Sequence, residues 1–227
     1  MSKSLRGTKR SEGGFTIIEL MIAALIFSTV LVLITVGVMY FTSMYYKGVN
    51  LSSAQTTARK IVDNIAQAVQ FSGGTITTPG IDGATGASVI CIGNKRYTYI
   101  TDKQVVNNVT DGAREAHHGL VVDIPTSTCS NTTGIASFTN AGALGGLAEF
   151  ELIGTEQRLN SLSVTRVGTT GSWLISVSVS FGKYDLFTSS NPADPDAYEV
   201  CKSGEGSQYC AAAKLTTTVE KRVNSDV

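Results

Sequence analysis

The sequence predicts an α+β chain, with one long N-terminal helix followed by a β-rich region that packs on the second half of that helix. Three observations carry this prediction. Residues 20–46 form a run of 27 positions without a charged side chain. Residues 47–71 repeat apolar side chains at helical spacing. After Gly74 the apolar residues alternate at period two, and Gly, Thr and Ser become frequent.

The charge-free run comes first. At 1.5 Å per residue a helix of this length spans roughly 40 Å, enough to cross a bilayer core with some tilt. Tyr40, Tyr45 and Tyr46, followed by Lys47, have the composition of an interfacial belt with its basic flank. On the other side of the run, Lys3, Arg6, Lys9 and Arg10 against Glu12 leave residues 1–14 at +3. The whole chain totals zero, so the remainder stands at −3. A basic leader of this kind stays on the cytoplasmic side of a membrane. A mildly acidic body lacks the basic face of a nucleic-acid binder, and no nucleic-acid partner is expected.

An ordinary secretory signal peptide would share the basic start and the apolar stretch. The apolar stretch is too long for that, and no convincing A-x-A site follows it. It is also preceded by Gly13-Gly14 and opens with a carboxylate, Glu19. Burying an unpaired ionised Glu in lipid costs several kcal/mol, so such a residue is a functional candidate by default.

The segment Lys9-Arg10-Ser11-Glu12-Gly13-Gly14-Phe15-Thr16-Ile17-Ile18-Glu19-Leu20-Met21 resembles the processing and methylation segment of type IV pilins and pseudopilins. The family pattern is a basic leader ending in Gly, then Phe, three residues and Glu, opening a long apolar helix. Gly14 matches the last leader residue, Phe15 the first mature residue and Glu19 the acidic fifth. The resemblance implies a pilin-like fold, cleavage by prepilin peptidase between Gly14 and Phe15, and N-methylation of Phe15. It also implies assembly with other pilin or pseudopilin subunits on an inner-membrane platform. The freed Phe15 amine of one subunit can then approach Glu19 of a neighbour, each offsetting the other's burial and setting register. The chain divides on this reading into a leader (1–14), a transmembrane and assembly helix (15–46), an amphipathic helix half (47–71) and an exported head (72–227).

In residues 47–71, Leu51, Ala54, Ala58, Ile61, Ile65 and Ala68 form an apolar stripe, with Val62 and Val69 beside it. Arg59 and Asp63 are spaced to pair across one turn. Gly73-Gly74 then ends the helix. Strands are expected where apolar residues alternate. Trp173, Ile175, Val177, Val179 and Phe181 form the clearest. Others are Ala148 to Leu152, Leu162 with Val164, and Leu215 to Val223; residues 91–100 and 120–124 add more. Residues 189–209, with two of the four prolines, read as a loop excursion before the last strand.

Four cysteines, Cys91, Cys129, Cys201 and Cys210, all follow the apolar run, as in an exported, oxidised domain. Four cysteines allow three pairings, and sequence does not choose among them. The closeness of Cys201 and Cys210 favours that pair, leaving Cys91 with Cys129. By resemblance to pilin-like proteins, a disulfide-bounded C-terminal loop shapes subunit contacts.

Little in the sequence points to chemistry. His117 and His118 are adjacent, so they diverge from one another and read as a solvated loop. Asp185, Asp194, Asp196 and Glu199 offer oxygens for calcium, which some pseudopilins bind, but their spacing is not that of an EF-hand. No metal or cofactor is expected. There is no G-x-S-x-G, P-loop or H-E-x-x-H. Asn108 and Asn131 open glycosylation tripeptides, a pattern frequent by chance. The leading expectation is a non-enzymatic minor pilin or pseudopilin. It draws on the size of the head, the proline-free helix and the resemblance to the large J-type and W-type subunits. The competing class is an exported binding or hydrolytic domain on a simple anchor.

Overall fold

The computed structural model describes residues 13–81, 86–109, 114–126, 128–129, 147–168, 171–191, 194–204 and 206–222. Helix α1 runs unbroken over Ile17–Phe71, 55 residues with no proline to interrupt it. By its contacts the chain forms two compact units, Met1–Ser43 and Met44–Val227.

The helical part of the first unit exposes its apolar side chains all round. Its hydroxyls are bonded within the helix. Ser28 and Thr29 donate to the carbonyls of Leu25 and Ile26, and Thr35 and Thr42 to those of Leu31 and Val38, at 2.8–2.9 Å. Such back-bonding lets Ser and Thr sit in an apolar helix without an orphaned donor.

In the second unit α1 becomes one-sided. Ala54, Ala58, Ile61, Val62, Ile65, Ala68 and Val69 are buried, as the stripe predicts. Leu51 departs from the prediction. It is exposed, and Asn50 takes the buried position instead. Asn50 Nδ2 donates to the Gln208 carbonyl at 3.0 Å, so a polar loop meets the helix at this level and requires a donor there. Arg59 and Asp63 both face solvent and form no ion pair. An exposed pair of this kind gains too little to hold two long side chains in one geometry.

Among the described residues twelve strands follow: β1 (Ile76–Ile81), β2 (Ser88–Ile92), β3 (Lys95–Tyr99), β4 (Gln104–Val105), β5 (Glu115–Ala116), β6 (Leu120–Ile124), β7 (Leu147–Glu151), β8 (Gln157–Val167), β9 (Ser172–Phe181), β10 (Phe187–Asn191), β11 (Asp194–Cys201) and β12 (Ala211–Glu220). They make a five-stranded sheet in the order β1-β2-β3-β6-β7, a second in the order β12-β9-β8-β4-β5, and the β10-β11 hairpin. All pairs are antiparallel except β4 with β5. The α+β class holds, but two sheets stand where one was expected. Residues 91–100 are not one strand, because Gly93 and Asn94 turn the chain between β2 and β3. Residues 189–209 are not a simple loop, since most of the β10-β11 hairpin lies in them. The last strand starts at Ala211 and pairs in unbroken register with β9, Ala211 opposite Phe181 and Glu220 opposite Ser172.

Both sheets and the helix stripe share one core. Ile90, Ile92, Tyr97, Leu120 and Val122 come from the first sheet, and Leu159, Val164, Ile175, Val177, Val179 and Val219 from the second. Polar side chains tie the three together. Tyr97 Oη donates to Asn64 Oδ1 at 2.7 Å, and burial pushes this phenol's pKa up. Gln157 Nε2 donates to Ser53 Oγ at 3.0 Å. At the end of α1, the Arg222 amide donates to the Gln70 carbonyl and Lys221 Nζ to that of Gly74. Gly74 itself lies against Gly93. A Cβ on Gly74 would come within 2.8 Å of Gly93 Cα, and Gly93 holds φ +61°.

Parts of the sheets' outer faces are also buried, and there they are polar. Arg96 and Asp123 are cross-strand partners on β3 and β6, bonded through two guanidinium nitrogens and both carboxylate oxygens, with side chains only 3% exposed. On the second sheet, Ser180 Oγ donates to Asn160 Oδ1, Arg158 Nη2 donates to the Gly182 carbonyl, and the Arg158 guanidinium lies 4.8 Å from the Phe187 ring centre. Two disulfides, Cys91–Cys129 and Cys201–Cys210, join segments 38 and 9 residues apart.

Removing one member of a buried ion pair leaves the other charge uncompensated. Asp123→Ala should therefore destabilise the head by about 3–5 kcal/mol. Chemical denaturation of the full chain in detergent, followed by far-UV circular dichroism, measures this.

Candidate functional site

The site singled out by sequence is the start of α1. Residues 13–16 are non-helical, and the helix begins at Ile17. Thr16 stands at the N-cap and Glu19 three residues on. The Thr16 amide donates to Glu19 Oε2 at 3.0 Å, and Thr16 Oγ1 donates to the same oxygen at 2.9 Å. The Glu19 amide in turn donates to Thr16 Oγ1 at 3.4 Å, and the Leu20 amide to the Thr16 carbonyl at 3.2 Å. This is a reciprocal capping box. It satisfies orphan amides at a helix start that would otherwise face lipid or water. The carboxylate also sits in the first turn, where the helix dipole favours negative charge.

Sequence reasoning singled out Glu19 for its charge but missed this local role. The signal was present in the Thr-x-x-Glu spacing ahead of an apolar run. Gly13 and Gly14 precede the cap in open space, where a Cβ would meet nothing within 4 Å. Phe15 is largely exposed. The bond between Gly14 and Phe15 thus lies in non-helical chain, two residues before the helix. Proteases need such unwound backbone, because an amide locked in a helix cannot enter an extended cleft.

The remaining candidates are scattered. His118 is not simply solvated. Its Nδ1 lies 3.4 Å from Glu151 Oε2, and Glu151 also accepts from the amides of Leu120 and Ile153. That carboxylate serves the β6-β7 edge. Asp185 is exposed in a short 3₁₀ turn, and its carbonyl accepts from Lys202 Nζ at 2.8 Å, so an ammonium already occupies that neighbourhood. The side chains of Asp194, Asp196 and Glu199, and residues Thr110 and Asn131 of the glycosylation tripeptides, lie outside the description. Among the described residues no group of three His, Cys, Asp or Glu side chains is arranged to hold a metal ion.

Helix α1 is long and apolar enough to cross a membrane. The family model described as the prokaryotic N-terminal methylation motif matches residues 9–35, which contain the capping box and the first part of the charge-free run. No curated protein and no solved structure matches the chain. With its long apolar helix, its mixed and antiparallel sheets and this motif, the chain is type IV pilin-like. The motif is that of a prepilin peptidase substrate, a membrane-anchored protein that assembles with other pilins.

The hydroxyl of Thr16 can be tested apart from its backbone. Thr16→Val should speed hydrogen exchange at the Glu19 amide several-fold in the detergent-solubilised chain, and Thr16→Ser should preserve its protection.

Proposed function

We propose that this protein is a non-enzymatic minor pilin or pseudopilin. Prepilin peptidase cuts it between Gly14 and Phe15 and Phe15 is then N-methylated. The mature chain enters a type IV pilus, type II secretion or competence-type filament, and the large head fits a place in the initiating tip complex. The observation that carries this reading is the coincidence of the methylation motif with a capped helix start just after an unwound Gly-Gly. Residues 1–14 form the leader, residues 15–46 the inner-membrane anchor, and residues 72–227 the exported head. The two disulfides and the lack of any free cysteine among the described residues support an oxidising compartment for that head.

Cleavage frees an α-amine on Phe15, one residue before the cap. In a staggered bundle of such helices, the amine of one subunit meets Glu19 of the next. Both capping bonds from Thr16 fall on Glu19 Oε2. Among the described residues nothing engages Oε1, which supports a carboxylate that caps its own helix and accepts a neighbour's amine as well.

Mass spectrometry of the protein recovered from a membrane containing prepilin peptidase should find a chain beginning at N-methylated Phe15. An intact Met1, or a first residue after Tyr46, would overturn the reading. Glu19→Ala should be cleaved as the parent is, yet enter filaments far less well. Immunoblots of the membrane and sheared-filament fractions compare the two steps, and undiminished incorporation would reject the pairing.

A further inference from the structure

The apolar surface of α1 does not stop at Lys47. Within the second unit, Tyr45, Tyr46, Val49 and Leu51 are 63%, 44%, 47% and 38% exposed, and only from Ala54 onward does the stripe turn inward. The end of the charge-free run and the turn of helix after it therefore carry uncovered apolar side chains at the level of the head. The head supplies one more to the same place. Tyr209 is 49% exposed, and its ring centre lies 5.7 Å from that of Tyr46.

The chain holds Tyr209 there by several means. It closes the 3₁₀ turn Ser207–Tyr209, and the Gln208 carbonyl accepts from Asn50 Nδ2. The Cys201–Cys210 disulfide ties the turn to the end of β11. Gly206, at φ +84°, faces Leu186 so closely that a Cβ would come within 2.9 Å of Leu186 Cδ2. This loop leaves the Tyr209 ring half-exposed beside Tyr46, and the two rings extend the surface of Tyr45.

Tyrosine rings with one apolar body and one polar tip are favoured in the layer of lipid headgroups and glycerol, where the ring leaves water and the hydroxyl keeps its hydrogen bonds. We propose that the disulfide-bounded loop is a membrane-seated element of the head: Tyr209 joins Tyr45 and Tyr46 in the lipid interface on the head's side of the bilayer. The occupant of this surface is lipid, because the collar continues the charge-free run without a break and consists of the residue type that such a layer selects. Lys47, exposed and next in the helix to Tyr46, supplies a cation for headgroup phosphates. The proposal rests on the reading of residues 15–46 as a membrane anchor.

The test uses the full chain alone in phosphatidylcholine vesicles, with no other pilin present. Trp173, the sole tryptophan, lies on β9 opposite Arg166 and Val219 and provides the baseline. Tyr46→Trp and Tyr209→Trp each add a second indole at the collar. In vesicles brominated near the glycerol end of the acyl chains, both variants should lose fluorescence to a similar extent beyond the parent. Bromines at the methyl end should quench both less. If the indole introduced at position 46 is quenched and that at 209 is not, and the latter is reached instead by aqueous iodide, Tyr209 is a solvent-facing residue and the proposal fails. If neither is quenched, the anchor itself is misplaced and both readings fall.

Discussion

Both sheets of the head depend on the buried stripe of α1 from Ala54 to Val69. The inner faces of the two sheets, with Ile90, Ile92 and Leu120 on one and Leu159, Ile175, Val177 and Val179 on the other, meet in one core with Ile61, Ile65 and Val69 of the helix. Each fully buried side chain of this size contributes about 1.5–3 kcal/mol relative to exposure. The second half of the long helix is therefore part of the core that both sheets share.

How legible this was in the sequence depended on whether one face or two faces of an element are buried. β9 was legible because Ile175, Val177 and Val179 alternate with serines, although Ser178 and Ser180 are buried as well, and β6 was read at its observed bounds. The helix stripe was readable for the same reason. The outer faces were not. Arg96, Asp123, Arg158 and Asn160 look like surface residues in sequence, yet all are buried: Arg96, Asp123 and Asn160 find partners on neighbouring strands, and Arg158 finds the Gly182 carbonyl and the Phe187 ring. A hairpin over the second sheet was hidden in the same way. Residues 189–209 hold prolines and acidic side chains that suggest a loop, but β11 lies against β8 and β9 and Phe187 packs on Arg158.

At the helix start the chemistry was legible and the geometry was not. Gly14, Phe15 and Glu19 stood out by type and spacing. What the spacing of Thr16 and Glu19 also encoded was a local hydrogen-bond exchange. A carboxylate next to an apolar helix costs less when its oxygens have donors, and Thr16 provides two to Oε2. The same economy runs along the apolar half, where Ser and Thr hydroxyls turn back to their own carbonyls. Each of these bonds is also exchangeable for one to a neighbouring helix of equal chemistry.

The latch between the two ends of the head sets a temporal order. Lys221 reaches the Gly74 carbonyl across 147 residues of chain, and β12 supplies an edge of the second sheet. During synthesis α1 emerges first, and its end at Gln70 and Gly74 stays unclosed until the C-terminal strand arrives. Long-range closure of this kind is slow. The interval before β12 arrives is therefore one in which the end of the helix lacks these partners and is open to proteolysis.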